Sequence, residues 1–91
     1  MTKIDYVECT ILSTPIIEME SPFYLSFVVD VKGDSIHATF IGDFARSLRK
    51  SLRIGDKAII RNALIDHGKL IFDFLHLEPH TAIGRQADVY A

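Results

Sequence analysis

The amino-acid sequence predicts an all-β domain of five strands with one short helix between the third strand and the fourth. Two observations predict this class: apolar and polar residues alternate in short segments separated by turn residues, and one segment changes to helical spacing. The 91 residues, 48% of them hydrophobic, are enough for one globular domain. We expect residues 1–80 to form that domain and residues 81–91, which lack periodicity, to form a C-terminal tail.

The first three strands are separated by turn residues. Residues 4–12 alternate loosely, and the alternation resumes at residues 16–17 after Ser13-Thr14-Pro15. In residues 23–31 every odd-numbered position is apolar, which predicts a strand with one face in the core. Lys32-Gly33-Asp34 is typical of a hairpin turn, and residues 35–41 form the third strand.

Helical spacing follows the third strand. Apolar residues recur at Phe44, Ala45, Leu48 and Leu52, after Asp43 as a helix N-cap, and the helix is expected to end near residue 54. Two further strands, residues 57–65 and 70–77, flank a tight turn at residues 66–69. This order of elements is that of the OB-fold, a small and partly open barrel.

Within this order, the segment from Phe40 to Leu64 resembles the strand–helix–turn–strand part of nucleic-acid-binding OB domains. Their pattern L-x-x-G-D-x-V-x-V-x-G-x-L is matched here by Leu52, Gly55, Asp56, Ala58, Ile60, Asn62 and Leu64. The resemblance extends over residues 4–78 and is nearest to bacterial single-stranded DNA-binding proteins and their primosomal relatives. It implies a module that binds single-stranded nucleic acid, DNA ahead of RNA, in replication, repair or DNA transfer. This chain differs from the pattern in having no tryptophan and in having Asn62 at the usual glycine.

Binding single strands requires cations for the phosphates and flat side chains for the bases. The net charge is only −2, but six basic residues lie between positions 46 and 61 against one acid. Because odd positions of residues 23–31 face the core, Tyr24 and His37 are the strand residues placed to stack on bases. The aromatic rings of Phe23, Phe27, Phe40, Phe72 and Phe74 are expected in the core. The candidate nucleic-acid-binding residues are Tyr24, Ser26, His37, Thr39, Arg53, Lys57, Arg61 and Lys69.

A second hypothesis is an OB-fold adaptor subunit whose surface serves protein assembly. Val28 and Ile41 are expected to point away from the core, where they could contact a partner, and Tyr90 lies in the tail. The chain is then a homo-oligomer or a subunit of a larger nucleic-acid-processing complex.

Other classes of function are not expected. Cys9 is the single cysteine and predicts a buried, reduced thiol, typical of a cytoplasmic protein, or of a nucleoid or nuclear one. His76 and His80 are four residues apart, but Pro79 between them breaks the helix that a shared metal site would need. No catalytic motif or membrane-spanning run is present, so we predict no enzyme activity, no cofactor, no metal and no membrane association.

Overall fold

The structure is a computed structural model that describes residues 2–78. Seven strands and one α-helix, which continues into a 3₁₀ turn, make up this part of the chain. In chain order they are β1 (Thr2–Ile11), β2 (Ile16–Glu20), β3 (Phe23–Val31), β4 (Asp34–Ile41), α1 (Asp43–Leu48), the 3₁₀ turn (Arg49–Ser51), β5 (Lys57–Asp66), β6 (Lys69–Phe72) and β7 (Leu75–Leu77). The predicted tail at residues 81–91 lies outside the described residues.

Five of these strands close a barrel in the order β1-β3-β4-β6-β5, and β5 returns to pair with β1. All neighbours in the barrel are antiparallel except β4 and β6, which run parallel. The helix lies between β4 and β5, the third and fourth strands of the barrel, as predicted. The predicted fold class, an all-β barrel with the OB-fold order of elements, is confirmed.

Two hairpin turns lie where the sequence predicted them, and the structure shows that each has two residues. Val31 pairs with Asp34 across Lys32-Gly33, and Asp66 pairs with Lys69 across His67-Gly68. Both residues of each turn have positive φ, between 51° and 90°. This backbone twist matches the right-handed twist of the paired strands, and glycine adopts it without steric cost. The turns therefore fix the β3–β4 and β5–β6 registers.

Alternation along the strands places one side of the barrel wall in the core. The odd-numbered residues Phe23, Leu25, Phe27 and Val29 of β3 are buried, whereas the intervening residues are half-buried on the outside. Three rings pack inside the barrel, with Phe40 4.9 Å from Phe72 between centroids and Phe27 edge-on to Phe72 at 6.3 Å. The other fully buried large side chains are Ile11, Ile60, Leu70 and Leu75.

In β5 the alternation is interrupted at Asn62. Ala58 and Ile60 face the core, Arg61 and Asn62 are both exposed, and Ala63 is buried again. Asn62 has φ 55°, a left-handed conformation that glycine adopts freely and that asparagine tolerates better than most residues. This explains physically why asparagine stands where the resembled pattern has glycine.

Four details differ from the sequence-based expectations. The N-cap of α1 is Gly42, and Asp43, the expected cap, is the first helical residue. The segment after Pro15 is a separate strand, β2, that pairs with β3 although all five of its residues are exposed. The last predicted strand is divided at Asp73 into β6 and β7. Consequently Phe74 does not enter the core: it is 41% exposed and stacks on Phe44, with ring centroids 5.3 Å apart.

Candidate nucleic-acid interface

The outward side chains of β3 and β4 form one continuous surface, in which cross-strand neighbours are Tyr24 with Ile41, Ser26 with Thr39, and Val28 with His37. All six lie opposite the buried residues of the same strands. We call these six residues, together with the neighbouring Lys69 of β6, the β3–β4 face.

Strands on both sides extend the β3–β4 face. On β6, Lys69 is aligned with His37, and Ile71 with Thr39. On β2, Ile16 pairs with Ser26, and Met19 pairs with Tyr24. Because paired residues project to the same side of a sheet, these side chains continue the face. The surface is apolar at its β2 edge, where Ile16 is 63% exposed, and carries Lys69 at its β6 edge.

Charges at the β6 edge come from the β5–β6 hairpin. Lys69 is exposed and pairs across the hairpin with Asp66, whose Oδ1 lies 3.0 Å from His67 Nδ1. Asp66 therefore neutralises part of the positive charge that His67, when protonated, and Lys69 supply here. This edge carries the Lys69 ammonium and the imidazoles of His37 and His67 beside the Asp66 carboxylate.

The structure brings together five of the eight predicted nucleic-acid-binding residues, namely Tyr24, Ser26, His37, Thr39 and Lys69. The predicted protein-contact residues Val28 and Ile41 lie on the same face, so the two functional hypotheses use one surface. Tyr90, the remaining predicted contact residue, lies outside the described residues.

The structure places the other three predicted residues elsewhere. Arg61 lies on the outside of β1 and β5, with its guanidinium 5.5 Å from the centroid of the Tyr6 ring. Lys57 begins β5 opposite Thr10 and lines a cleft beside β1. Arg53 follows the 3₁₀ turn, and its backbone N–H donates to Asp56 Oδ2 at 3.1 Å. Arg61 is separated from the β3–β4 face because its part of β5 pairs with β1 and not with β6, and this pairing cannot be read from the sequence.

One helix cation has a structural role. Arg46 Nη2 donates to the Glu20 carbonyl oxygen at 3.0 Å, and its guanidinium lies 4.5 Å from the Phe23 ring centroid. These contacts attach α1 to the start of β3. Arg46 is therefore engaged by its own barrel, whereas Arg49, Lys50 and Arg53 present exposed side chains.

A cleft of about 660 Å³ lies beside β1, away from the β3–β4 face. Its apolar residues are Ile4, Val7 and Val31, and Cys9 also lines it. The charged residues around it are Glu8, Asp30, Lys32, Lys57 and Glu78. None of the residues of the β3–β4 face lines this cleft.

The thiol of Cys9 is expected to be unreactive in the folded chain. It is buried, as predicted, and desolvation raises its pKa from 9.0 to about 11. At about pH 8 the reactive thiolate is then about 100-fold rarer in the folded chain than in the unfolded chain. Reaction with Ellman's reagent should be slower by at least that factor in buffer than in concentrated urea, and equal rates would contradict the assignment.

The comparisons with known proteins do not assign a family. No family model matches the chain, and no curated protein or solved structure matches it significantly. Within residues 2–78, no group of three or more His, Cys, Asp or Glu side chains is arranged to hold a metal ion. In the same part of the chain, no helix is long and apolar enough to cross a membrane.

Proposed function

We propose that this domain binds single-stranded nucleic acid on the β3–β4 face, without catalysing a reaction. The observation that carries the proposal is that Tyr24, His37 and Lys69 lie on three adjacent strands of one continuous surface. Ile41, the cross-strand neighbour of Tyr24, lies four residues from His37, so the two rings are about 13 Å apart along the strands. That separation allows bases of one strand, two or three nucleotides apart, to stack on both rings.

The remaining polar groups of the face suit the same ligand. The hydroxyls of Ser26 and Thr39 lie between the two rings and can donate to phosphate or sugar oxygens. Lys69 supplies the positive charge beside His37. DNA rather than RNA, and a role in replication, repair or DNA transfer, follow from the resemblance of residues 4–78 to single-stranded DNA-binding proteins. With so few cations on the face, we expect weak, salt-sensitive binding.

The proposal is tested by titrating a fluorescent thymine oligonucleotide of about 20 nucleotides at low salt, a length that exceeds one OB-fold site. Replacing Tyr24 with alanine should weaken binding by about 5- to 150-fold, because one base loses its stacking partner. The matched control is Tyr6→Ala, which removes an exposed tyrosine from the outside of β1 and β5. No binding at high micromolar protein, or equal losses in the two variants, would overturn the proposal.

Salt dependence gives a second readout of the same site. Lys69→Gln should reduce the slope of log affinity against log salt by about 0.7, the value for one phosphate contact on a single strand. Arg61→Gln removes a cation from the opposite side of the barrel and should leave the slope unchanged. Replacing thymine DNA with uracil RNA of equal length tests the preference for DNA.

The second candidate function is protein assembly, and one observation favours it. Ile16 and Met19 are large, exposed apolar side chains on β2, beside Ser26 and Tyr24 of the β3–β4 face, and such groups are common at protein interfaces. In this case the domain forms a complex of fixed stoichiometry that salt scarcely weakens. Val28→Asp or Ile41→Asp should break that complex, whereas Lys69→Gln should leave it intact.

A further inference from the structure

Three basic side chains project from the segment between α1 and β5 and have no part in the β3–β4 face. Arg49 and Lys50 lie in the 3₁₀ turn, Arg53 follows it, and all three are exposed. Within residues 2–78, neither Arg49 nor Lys50 forms an ion pair. Leu52, which lies among these bases in the sequence, is buried and attaches the segment to the core. The cations are therefore available to an acidic group on another molecule.

An exposed isoleucine follows the bases, at the tip of a turn. Ile54 is 62% exposed, and Gly55 after it has φ 94°, as in a type II turn. The Asp56 N–H donates to the Arg53 carbonyl oxygen at 3.1 Å, and the Arg53 N–H donates to Asp56 Oδ2 at 3.1 Å. Backbone hydrogen bonds join Gly55 and Asp56 to Ile11 of β1. These contacts fix the turn on the barrel, so the Ile54 side chain is held in the solvent.

We propose that these three cations and Ile54, which together we call the basic turn patch, bind an acidic peptide segment of another protein. The carboxylates of the segment pair with the cations, and the guanidinium groups of Arg49 and Arg53 are suited to bidentate pairing. An aliphatic side chain between the carboxylates covers Ile54 and removes it from water. One isoleucine and three cations are too small a surface for two folded domains, which usually bury about 800 Å² on each partner. The patch therefore fits a short segment.

The residue types around the basic turn patch favour a peptide over nucleic acid. Proteins bind single strands by combining cations with aromatic rings that stack on the bases. Residues 45–64 contain no aromatic residue, and the exposed apolar group of the patch is the branched aliphatic chain of Ile54. No residue of the patch belongs to the β3–β4 face. This inference therefore does not depend on the proposed nucleic-acid binding.

Fluorescence anisotropy with two labelled peptides tests the proposal. The probe is a peptide of about eight residues with one central leucine flanked by aspartates, and the reference peptide has glycine in place of the leucine. We expect the leucine peptide to bind about tenfold more tightly, because its side chain and that of Ile54 leave water together. Added salt should weaken both peptides, since the ion pairs are exposed. Equal affinities, or no binding at high micromolar protein, would overturn the proposal.

Two pairs of variants locate the site on the protein. Lys50→Glu should weaken the leucine peptide by about fivefold, because an ion pair becomes repulsive. Lys3→Glu makes the same charge change at an exposed position of β1 and should have a much smaller effect. Ile54→Ser should reduce the affinity for the leucine peptide to that for the reference peptide. Ile16→Ser removes an isoleucine that is 63% exposed on β2 and should leave peptide binding unchanged.

Urea unfolding of the same variants checks that each is folded, and all four replaced side chains are exposed. A loss of peptide binding in Ile16→Ser but not in Ile54→Ser would place the peptide on β2 and contradict the proposal. Two other ligands are also tested. If the leucine peptide does not bind but Lys50→Glu weakens a thymine oligonucleotide as much as Tyr24→Ala does, the patch belongs to the nucleic-acid site. If only vesicles containing phosphatidylserine bind, and Ile54→Ser abolishes that binding, the patch contacts an anionic membrane surface. Either result overturns the proposal.

Discussion

Replacing Phe40 with alanine is expected to lower the free energy of unfolding by about 3–5 kcal/mol, the largest change predicted for a single side chain here. Phe40 is completely buried. Its ring lies 4.9 Å from Phe72 and 5.9 Å from Phe44, and its backbone pairs with Leu25 on one side and Phe72 on the other. The variant loses the contacts that join β3, β4, β6 and the helix, and it leaves a cavity between them.

A domain of this size has a total stability of about 5–10 kcal/mol, so much of the Phe40→Ala protein should unfold at low denaturant concentration. Urea unfolding followed by circular dichroism measures the change. Phe74→Ala is the matched control, because it removes the same side chain from a position that is 41% exposed. Its loss should be about 1 kcal/mol, from stacking on Phe44. Equal losses in the two variants would show that the barrel is not packed around Phe40.

Asp56→Ala is expected to lower the free energy of unfolding by about 1–3 kcal/mol, because it removes the acceptor of a part-buried backbone donor. Asp56 is only 7% exposed, and its Oδ2 accepts the Arg53 N–H at 3.1 Å. Its carbonyl oxygen also accepts the Ile11 N–H at 2.8 Å, and the neighbouring Gly55 N–H donates to the Ile11 carbonyl oxygen at 2.7 Å. Asp56 therefore joins the turn before β5 to the end of β1.

Asp56→Asn tests whether the hydrogen bond or the negative charge of Asp56 supplies this stability, and Asp73→Ala is the control. Asp56→Asn retains an oxygen acceptor at the same position and should recover part of the stability lost in Asp56→Ala. Asp73→Ala removes an exposed aspartate from the bend between β6 and β7 and should change the urea midpoint little. If Asp56→Ala and Asp73→Ala gave the same midpoint, the turn would not depend on the Arg53–Asp56 hydrogen bond.

Sequence periodicity was sufficient to predict the strands, turns and helix whose formation depends on residues close together in the chain. The alternation in residues 23–31 appears directly as the buried and exposed sides of β3. Gly33 and Gly68 marked two-residue turns because positive φ is a local requirement. The single helical segment, placed after the third strand of the barrel, was then enough to predict the order of elements of an OB-fold along the chain.

Which residues make up the candidate site depends on the register between paired strands, and that register cannot be read from the sequence. Tyr24, His37 and Lys69 share a face because β3, β4 and β6 pair in one particular alignment. Arg61 lies away from that face because its part of β5 pairs with β1, opposite Tyr6, whereas β6 pairs with β5 only from Leu64 to Asp66.

The sequence by itself determined the type and order of the elements, the turns and most of the core of this domain. Only the tertiary structure decided that β2 is a strand, that Phe74 is outside the core and that Arg61 lies opposite Tyr6. The physical reason is that period and turn chemistry act within a few residues. Pairing partners and barrel closure, by contrast, depend on contacts between residues far apart in the chain.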